Sequence, residues 1–235
     1  MKHIPNTITL MNLLCGVMGV IFTLEGHPQT AFLLMLLAAV FDFCDGLAAR
    51  MLHAYSDIGK ELDSLSDLVS FGVLPSVMLY ETMRLQGCGS IAAYVPLFLA
   101  LMSSLRLAKF NVDDRQTSNF IGVATPTAAM ICGSLAYYIA AVPDSWLAAL
   151  AGSWWFLPLV AVILGLSLVS EIPMFGMKIK KGERLLDAPR IVFLILSAAS
   201  AILVAVFGLN WSMVVLLVFL VYLGVNLFQW IKQKS

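Results

Sequence analysis

The chain has 235 residues, 60% of them hydrophobic, and only 12% charged, against about 25% in a soluble globular domain. A mean hydropathy of +0.92 and a formal net charge of zero exclude an ordinary soluble enzyme and give no sign of a nucleic-acid partner. The apolar residues fall in runs close to the roughly 20 needed to cross a bilayer. In chain order the predicted helices cover 8–24, 31–50, 61–80, 91–108, 126–142, 155–170, 190–207 and 212–230. The expectation is therefore an all-α polytopic membrane protein with about eight transmembrane helices. The loops are too short for a second domain, so residues 1–235 read as a single membrane domain.

Charge sets the predicted orientation. With eight crossings both termini share a side, and that side collects Lys2, Arg50, Lys60, Arg106, Lys109, Arg115, Lys178, Lys180, Lys181, Arg184, Arg190, Lys232 and Lys234. Only Arg84 of the 14 basic residues falls on the other. This asymmetry predicts cytoplasmic termini and even-numbered loops. The first apolar run follows a single lysine and lacks a small-residue cleavage pattern, so it reads as a retained helix. Cys15, Cys44, Cys88 and Cys132 show no metal or redox spacing and read as small packing residues. His3, His27 and His53 form no ligand pattern.

Two of the oily runs carry four aspartates. Asp42 and Asp45 are three apart near the end of the second predicted helix, and Asp63 and Asp67 are four apart in the third, so each pair lies on one helical face. A short turn around MLHAYSDIG joins the helices and makes them antiparallel. Residues of a hairpin at equal depth have a constant index sum, and 42 + 67 nearly equals 45 + 63. All four carboxylates are thus predicted at one depth, one to two turns inside the cytoplasmic boundary. Acids within a membrane segment are costly and need compensating charge. Oxygen ligands without His or Cys point to Mg²⁺ or Mn²⁺, and four of them suit a two-metal site. Gly46 and Gly59 let backbone approach a bulky polar substrate, and Arg50, one turn beyond Gly46, suits a diphosphate. Gly46 as a helix-packing glycine and Arg50 as a boundary anchor are the plain structural alternatives.

The run Asp42-x-x-Asp45-Gly46-x-x-Ala49-Arg50, then Gly59, Asp63 and Asp67, resembles the signature of the CDP-alcohol phosphotransferase family at every defined position. The resemblance implies that an alcohol displaces CMP from a CDP-linked lipid. It also implies roles for individual residues. Asp42 and Asp63 would bridge two divalent cations, Asp45 would complete the first site and Asp67 the second, with Asp67 also acting as general base. Gly46, Gly59, Arg50 and Ser56 would meet the CDP-lipid. The segment Pro5-Asn6-Thr7-Ile8 resembles the family's nucleotide-contacting segment and places Asn6 and Thr7 there too. Asn6 or Thr7 as the N-cap of the first helix is the structural alternative.

The four aspartates are silent on the acceptor alcohol. The stretch Arg106-x-Ala108-Lys109-Phe110-Asn111, followed by Phe120-x-Gly122-x-x-x-Pro126, resembles the bacterial-type phosphatidylserine synthase subgroup, as does SDLVSFGVLPSVMLY. Ala124 departs from a proline often found there. The resemblance implies CDP-diacylglycerol and L-serine as substrates, a homodimer, and a bacterial inner membrane with the active site at the cytoplasmic end of helices two and three. Arg106, Lys109 and Asn111 are the candidate acceptor-binding residues, and the two cations read equally well as boundary anchors. Asp113 and Asp114 are candidates for the serine ammonium, though a solvated loop suits them better. The basic loop from Lys178 to Arg190 is a candidate for anionic headgroups or a substrate phosphate. Glycerol 3-phosphate, an inositol compound or choline are the alternative acceptors. A cation transporter is the rival of another class. It calls for acids near the midplane on broken helices, not at one boundary beside an arginine.

Overall fold

The structure is a computed structural model that describes residues 3–88, 90–112, 120–174 and 188–234. Lys2, Asp113, Asp114, Arg115, Lys178, Lys180, Lys181 and Arg184 lie outside the described residues.

The fold is a bundle of helices: α1 (His3–Leu24), α2 (Pro28–Met51), α3 (Asp57–Leu85), α4 (Ile91–Val112), α5 (Thr125–Ala141), α6 (Trp146–Ala151), α7 (Phe156–Leu168), α8 (Ala188–Val206) and α9 (Ser212–Lys234). Two short segments, β1 (Phe120–Ile121) and β2 (Pro173–Met174), pair antiparallel between α4 and α5 on one side and after α7 on the other. Helices stand at all eight predicted positions, and α6 is additional. Among the described residues six helices are long and apolar enough to cross a membrane: α1, α2, α3, α4, α8 and α9. The expected count of eight crossings goes further than that. With 17 and 13 residues, α5 and α7 reach only about 26 and 20 Å at 1.5 Å per residue, against a hydrocarbon core of about 30 Å.

Local sequence explains the breaks. Gly26 adopts φ +82° after α1, where the His27 N–H donates to the Phe22 carbonyl at 2.8 Å, and Pro28 then opens α2. Ser56 caps α3, its hydroxyl accepting from the Gly59 N–H at 3.1 Å. Inside α3, residues Leu68–Val73 form a π turn in which the Leu74 N–H reaches back five residues to Val69. Pro75 supplies the reason: it has no N–H for the Phe71 carbonyl and its ring crowds that oxygen, so the turn before it widens.

The middle of the bundle is α5, buried along nearly its whole length from Thr125 to Ile139. One core joins Phe32 and Met35 of α2, Phe71, Leu74 and Met78 of α3, and Ala129 and Met130 of α5. A second joins Leu79 and Met83 of α3, Leu99 of α4, Ile131 and Leu135 of α5, and Leu157 and Leu164 of α7. The outer faces carry large exposed apolar side chains such as Leu33, Phe43, Leu101 and Ile163, as a lipid-facing surface must. Against the π turn α1 presents Gly16, where a Cβ would fall 2.4 Å from Ser70 Oγ. Only glycine lets these two helices meet so closely.

Candidate active site

The antiparallel pairing of α2 and α3 brings Asp42, Asp63 and Asp67 together, with one carboxylate oxygen of each within 4.8 Å of the others. Asp45, one turn further along α2, is buried and interacts electrostatically with all three. Its Oδ2 lies 2.6 Å from Thr9 Oγ1 of α1, whose hydroxyl also faces the Pro5 carbonyl at 3.0 Å. A hydroxyl has one proton to give, and the ionised carboxylate is the stronger taker.

Three turns of α1 therefore form a wall of the site. Asn12, one turn beyond Thr9 and fully buried, donates from Nδ2 to Asp67 Oδ1 at 3.1 Å. Its backbone carbonyl accepts from Ser70 Oγ at 3.0 Å, which fixes α1 on the π turn that directly follows Asp67. Two atoms here are buried without partners, Asn12 Oδ1 and Asp63 Oδ1. Among the described residues no Lys, Arg or His nitrogen lies within 4.0 Å of any of the four carboxylates. Four clustered acids, Asp45 buried and the other three half-buried, with an orphaned oxygen on Asp63 and, among the described residues, no cation in contact, fit a site for divalent metal.

Beside the acids opens a cavity of about 740 Å³, lined by Asn6, Thr9, Asp45, Gly46, Arg50, Ser56, Gly59, Lys60 and Asp63 among others. Five of the six residues expected at a CDP-lipid are thus brought to one cavity. At Gly59 a Cβ would stand 3.0 Å from Ser56 Oγ and 3.2 Å from Asn6 Oδ1, so a larger residue would have to push these two side chains back. Thr7 is not among the lining residues, and its hydroxyl instead donates to the His3 carbonyl at 2.8 Å. Neither Asn6 nor Thr7 caps the helix, because α1 is already helical at His3.

The candidates on α4 separate. Arg106 is buried, donates from Nη1 to Thr125 Oγ1 at 3.1 Å, leaves Nε without a partner, and interacts electrostatically with Asp67 and with Tyr222 of α9. Asn111 ties helices together: its Nδ2 donates to Ser64 Oγ at 2.9 Å, and its backbone carbonyl accepts from Lys60 Nζ at 2.8 Å. Lys109 is exposed.

Sequence reasoning missed Thr9 and Asn12. Their signal was present, as polar side chains three apart inside the apolar run TITLMNLLCG.

A family model described as CDP-alcohol phosphatidyltransferase matches residues 2–166, which span α1 to most of α7. The chain is 31% identical, over 99% of its length and 82% of the relative's, to a Mycobacterium tuberculosis protein named CDP-diacylglycerol–serine O-phosphatidyltransferase. A Bacillus subtilis protein of the same name is 39% identical over 55% of this chain and 73% of its own. An archaetidylserine synthase of Methanothermobacter thermautotrophicus is 34% identical over 56% of each. With the acidic hairpin, the lined cavity and a match over more than half its length, the chain belongs to the CDP-alcohol phosphatidyltransferase family and is a membrane-embedded transferase of phospholipid synthesis.

Proposed function

We propose that this protein transfers the phosphatidyl group of CDP-diacylglycerol to the hydroxyl of L-serine, forming phosphatidylserine and releasing CMP. The observation that carries the proposal is the convergence of Asp42, Asp63 and Asp67 within 4.8 Å beside a cavity of about 740 Å³ that contains Arg50. The names of the Mycobacterium and Bacillus relatives support serine as the acceptor.

In this reading Asp42, Asp45, Asp63 and Asp67 hold two divalent cations, Mg²⁺ or Mn²⁺. Bound there, the metals would neutralise the diphosphate and the charge that gathers on departing CMP. Asn6, Gly46, Arg50, Ser56 and Gly59 receive the CDP moiety. Arg50 offers its planar fork to the phosphates, and the two glycines leave the backbone open to them. The place assigned to Thr7 by resemblance passes to Thr9, which lines the cavity.

Asp67 takes the proton of the serine hydroxyl as that oxygen bonds to the phosphatidyl phosphorus. The phosphorus–oxygen bond to CMP breaks, and CMP leaves with the electron pair. A carboxylate is a weak base for an alcohol, so proton transfer must accompany attack and positioning must supply much of the acceleration. The serine carboxylate is assigned to Arg106, which has an unpartnered Nε and a charge that acts on Asp67. Lys109 and Asn111 are assigned outer roles: Lys109 at the exposed rim, Asn111 in holding α4 on α3. The cytoplasmic placement of the site, a homodimer and one domain over the whole chain belong to the same proposal.

The test is CMP release by purified protein in detergent with CDP-diacylglycerol and Mn²⁺, comparing serine, glycerol 3-phosphate, inositol and choline. Serine-dependent release supports the reading. Release with a different acceptor alone would keep the chemistry and overturn the substrate. No release from folded protein with any of them would remove the proposal.

A further inference from the structure

Asn12 holds the base in place with one half of its amide, and its other half has no partner. Nδ2 donates to Asp67 Oδ1 at 3.1 Å, which fixes the amide's orientation, because an ionised carboxylate can only accept. Oδ1 is then committed to the opposite direction, fully buried and without a donor. Leaving a buried carbonyl oxygen without a donor is costly, so the position calls for a ligand that brings an N–H or O–H.

We propose that Asn12 Oδ1 receives the ammonium group of a 2-amino alcohol whose hydroxyl is activated at Asp67. The inference rests on the proposed transfer reaction and specifies how its acceptor is chosen. Within an amide, bond lengths put O and N about 2.3 Å apart. Asn12 Oδ1 is therefore within roughly 5 Å of the Asp67 oxygen that its Nδ2 contacts. In a staggered gauche 2-amino alcohol the nitrogen and oxygen are about 3 Å apart, so one small molecule can meet both residues. The surrounding charge agrees. Arg106, whose charge acts on Asp67 and whose Nε is unpartnered, is the cation for the carboxylate of an amino acid. An alcohol without an amine leaves Asn12 Oδ1 unsatisfied, which gives the site a physical reason to reject it.

The test compares L-serine with 3-hydroxypropanoate, which is serine without the amine, as acceptors in wild type, Asn12→Ala and Asn12→Asp. Wild type is expected to favour serine on the order of 10⁴-fold in kcat/KM, as a site with a buried partner for a polar group does. Asn12→Ala should slow both acceptors through Asp67 and also shrink the ratio to below about 10-fold, because the discriminating oxygen is gone. Asn12→Asp keeps an oxygen there and should keep the preference while the rate falls. A merely structural role would slow both acceptors and leave the ratio untouched. An unchanged ratio in folded Asn12→Ala, or a wild type indifferent to the amine, overturns the inference while leaving serine transfer standing. If Asn12→Ala does not fold, loss of the preference in Asn12→Asp overturns it equally. Absence of serine-dependent CMP release in wild type is a separate result: it removes the transfer reading and this inference with it.

Discussion

The two ends of α3 hold acids in opposite ways. Near its C-terminal end Glu81 is 2% exposed, and Arg84 one turn on grips both its oxygens, Nε at 2.9 Å and Nη2 at 3.1 Å. Near the other end Asp63 and Asp67 gather with Asp42 and Asp45, the partners of Asp45 and Asp67 are the neutral Thr9 and Asn12, and among the described residues no cation touches the four. A buried acid that carries its own counter-ion is a finished structural element. Half-buried and buried acids without one call for charge from outside, which the proposed function supplies as divalent metal. The comparison also separates acids that look alike in sequence, since Glu81 is as deeply buried as any of the four aspartates.

That contrast can be broken by mutation. The largest effect is expected for Asp67→Asn, which keeps the shape and removes the proposed base. CMP release should fall by at least about 10³-fold, measured under saturating Mn²⁺. Next come Asp42→Asn and Asp63→Asn. If the cluster draws its compensation from divalent cations, Mn²⁺ at about 100 times its dissociation constant should stabilise wild type by about 2.7 kcal/mol in thermal unfolding. Neither variant should show that gain. Thr9→Val deletes the donor on Asp45 and should cost about 1–3 kcal/mol, seen as a drop of roughly 10- to 100-fold in Mn²⁺ affinity. Smallest of all is Glu81→Gln. It should leave CMP release within about 3-fold of wild type, because this acid takes no part in the reaction, while lowering the melting temperature by a few degrees. A Glu81→Gln variant as inactive as Asp67→Asn would abolish the distinction between the two ends.

How much of this was legible beforehand depended on sequence distance. The convergence of Asp42, Asp63 and Asp67 followed from spacings of three and four and from a turn too short to be anything but antiparallel. Thr9 and Asn12 reach partners 36 and 55 residues away, and nothing local says which face of α1 meets α2 and α3. The same difficulty explains Thr7. With the first helix predicted from residue 8, Thr7 read as part of a loop ahead of the membrane. The helix in fact runs from His3, and residues two apart then lie about 200° apart around it, so Thr7 faces away where Thr9 faces in. The helix predicted over 61–80 ran through Pro75 without a break, and the π turn seated on Gly16 and placed directly after Asp67 comes from packing that the residues around Pro75 do not encode. Eight apolar runs did become helices. Whether a run crosses a membrane depends on length, and α5 is shielded inside the bundle, so its burial owes more to protein than to lipid.

The central claim is that the charge missing at the acidic end of α3 is supplied by divalent metal. The most direct measurement is Mn²⁺ binding to the detergent-purified chain, followed by electron paramagnetic resonance, in wild type, Asp63→Asn and Glu81→Gln. Two Mn²⁺ per chain are expected in wild type and in Glu81→Gln, with at least one lost in Asp63→Asn. Folded wild type that binds no Mn²⁺ and still releases CMP in the presence of a chelator would contradict it.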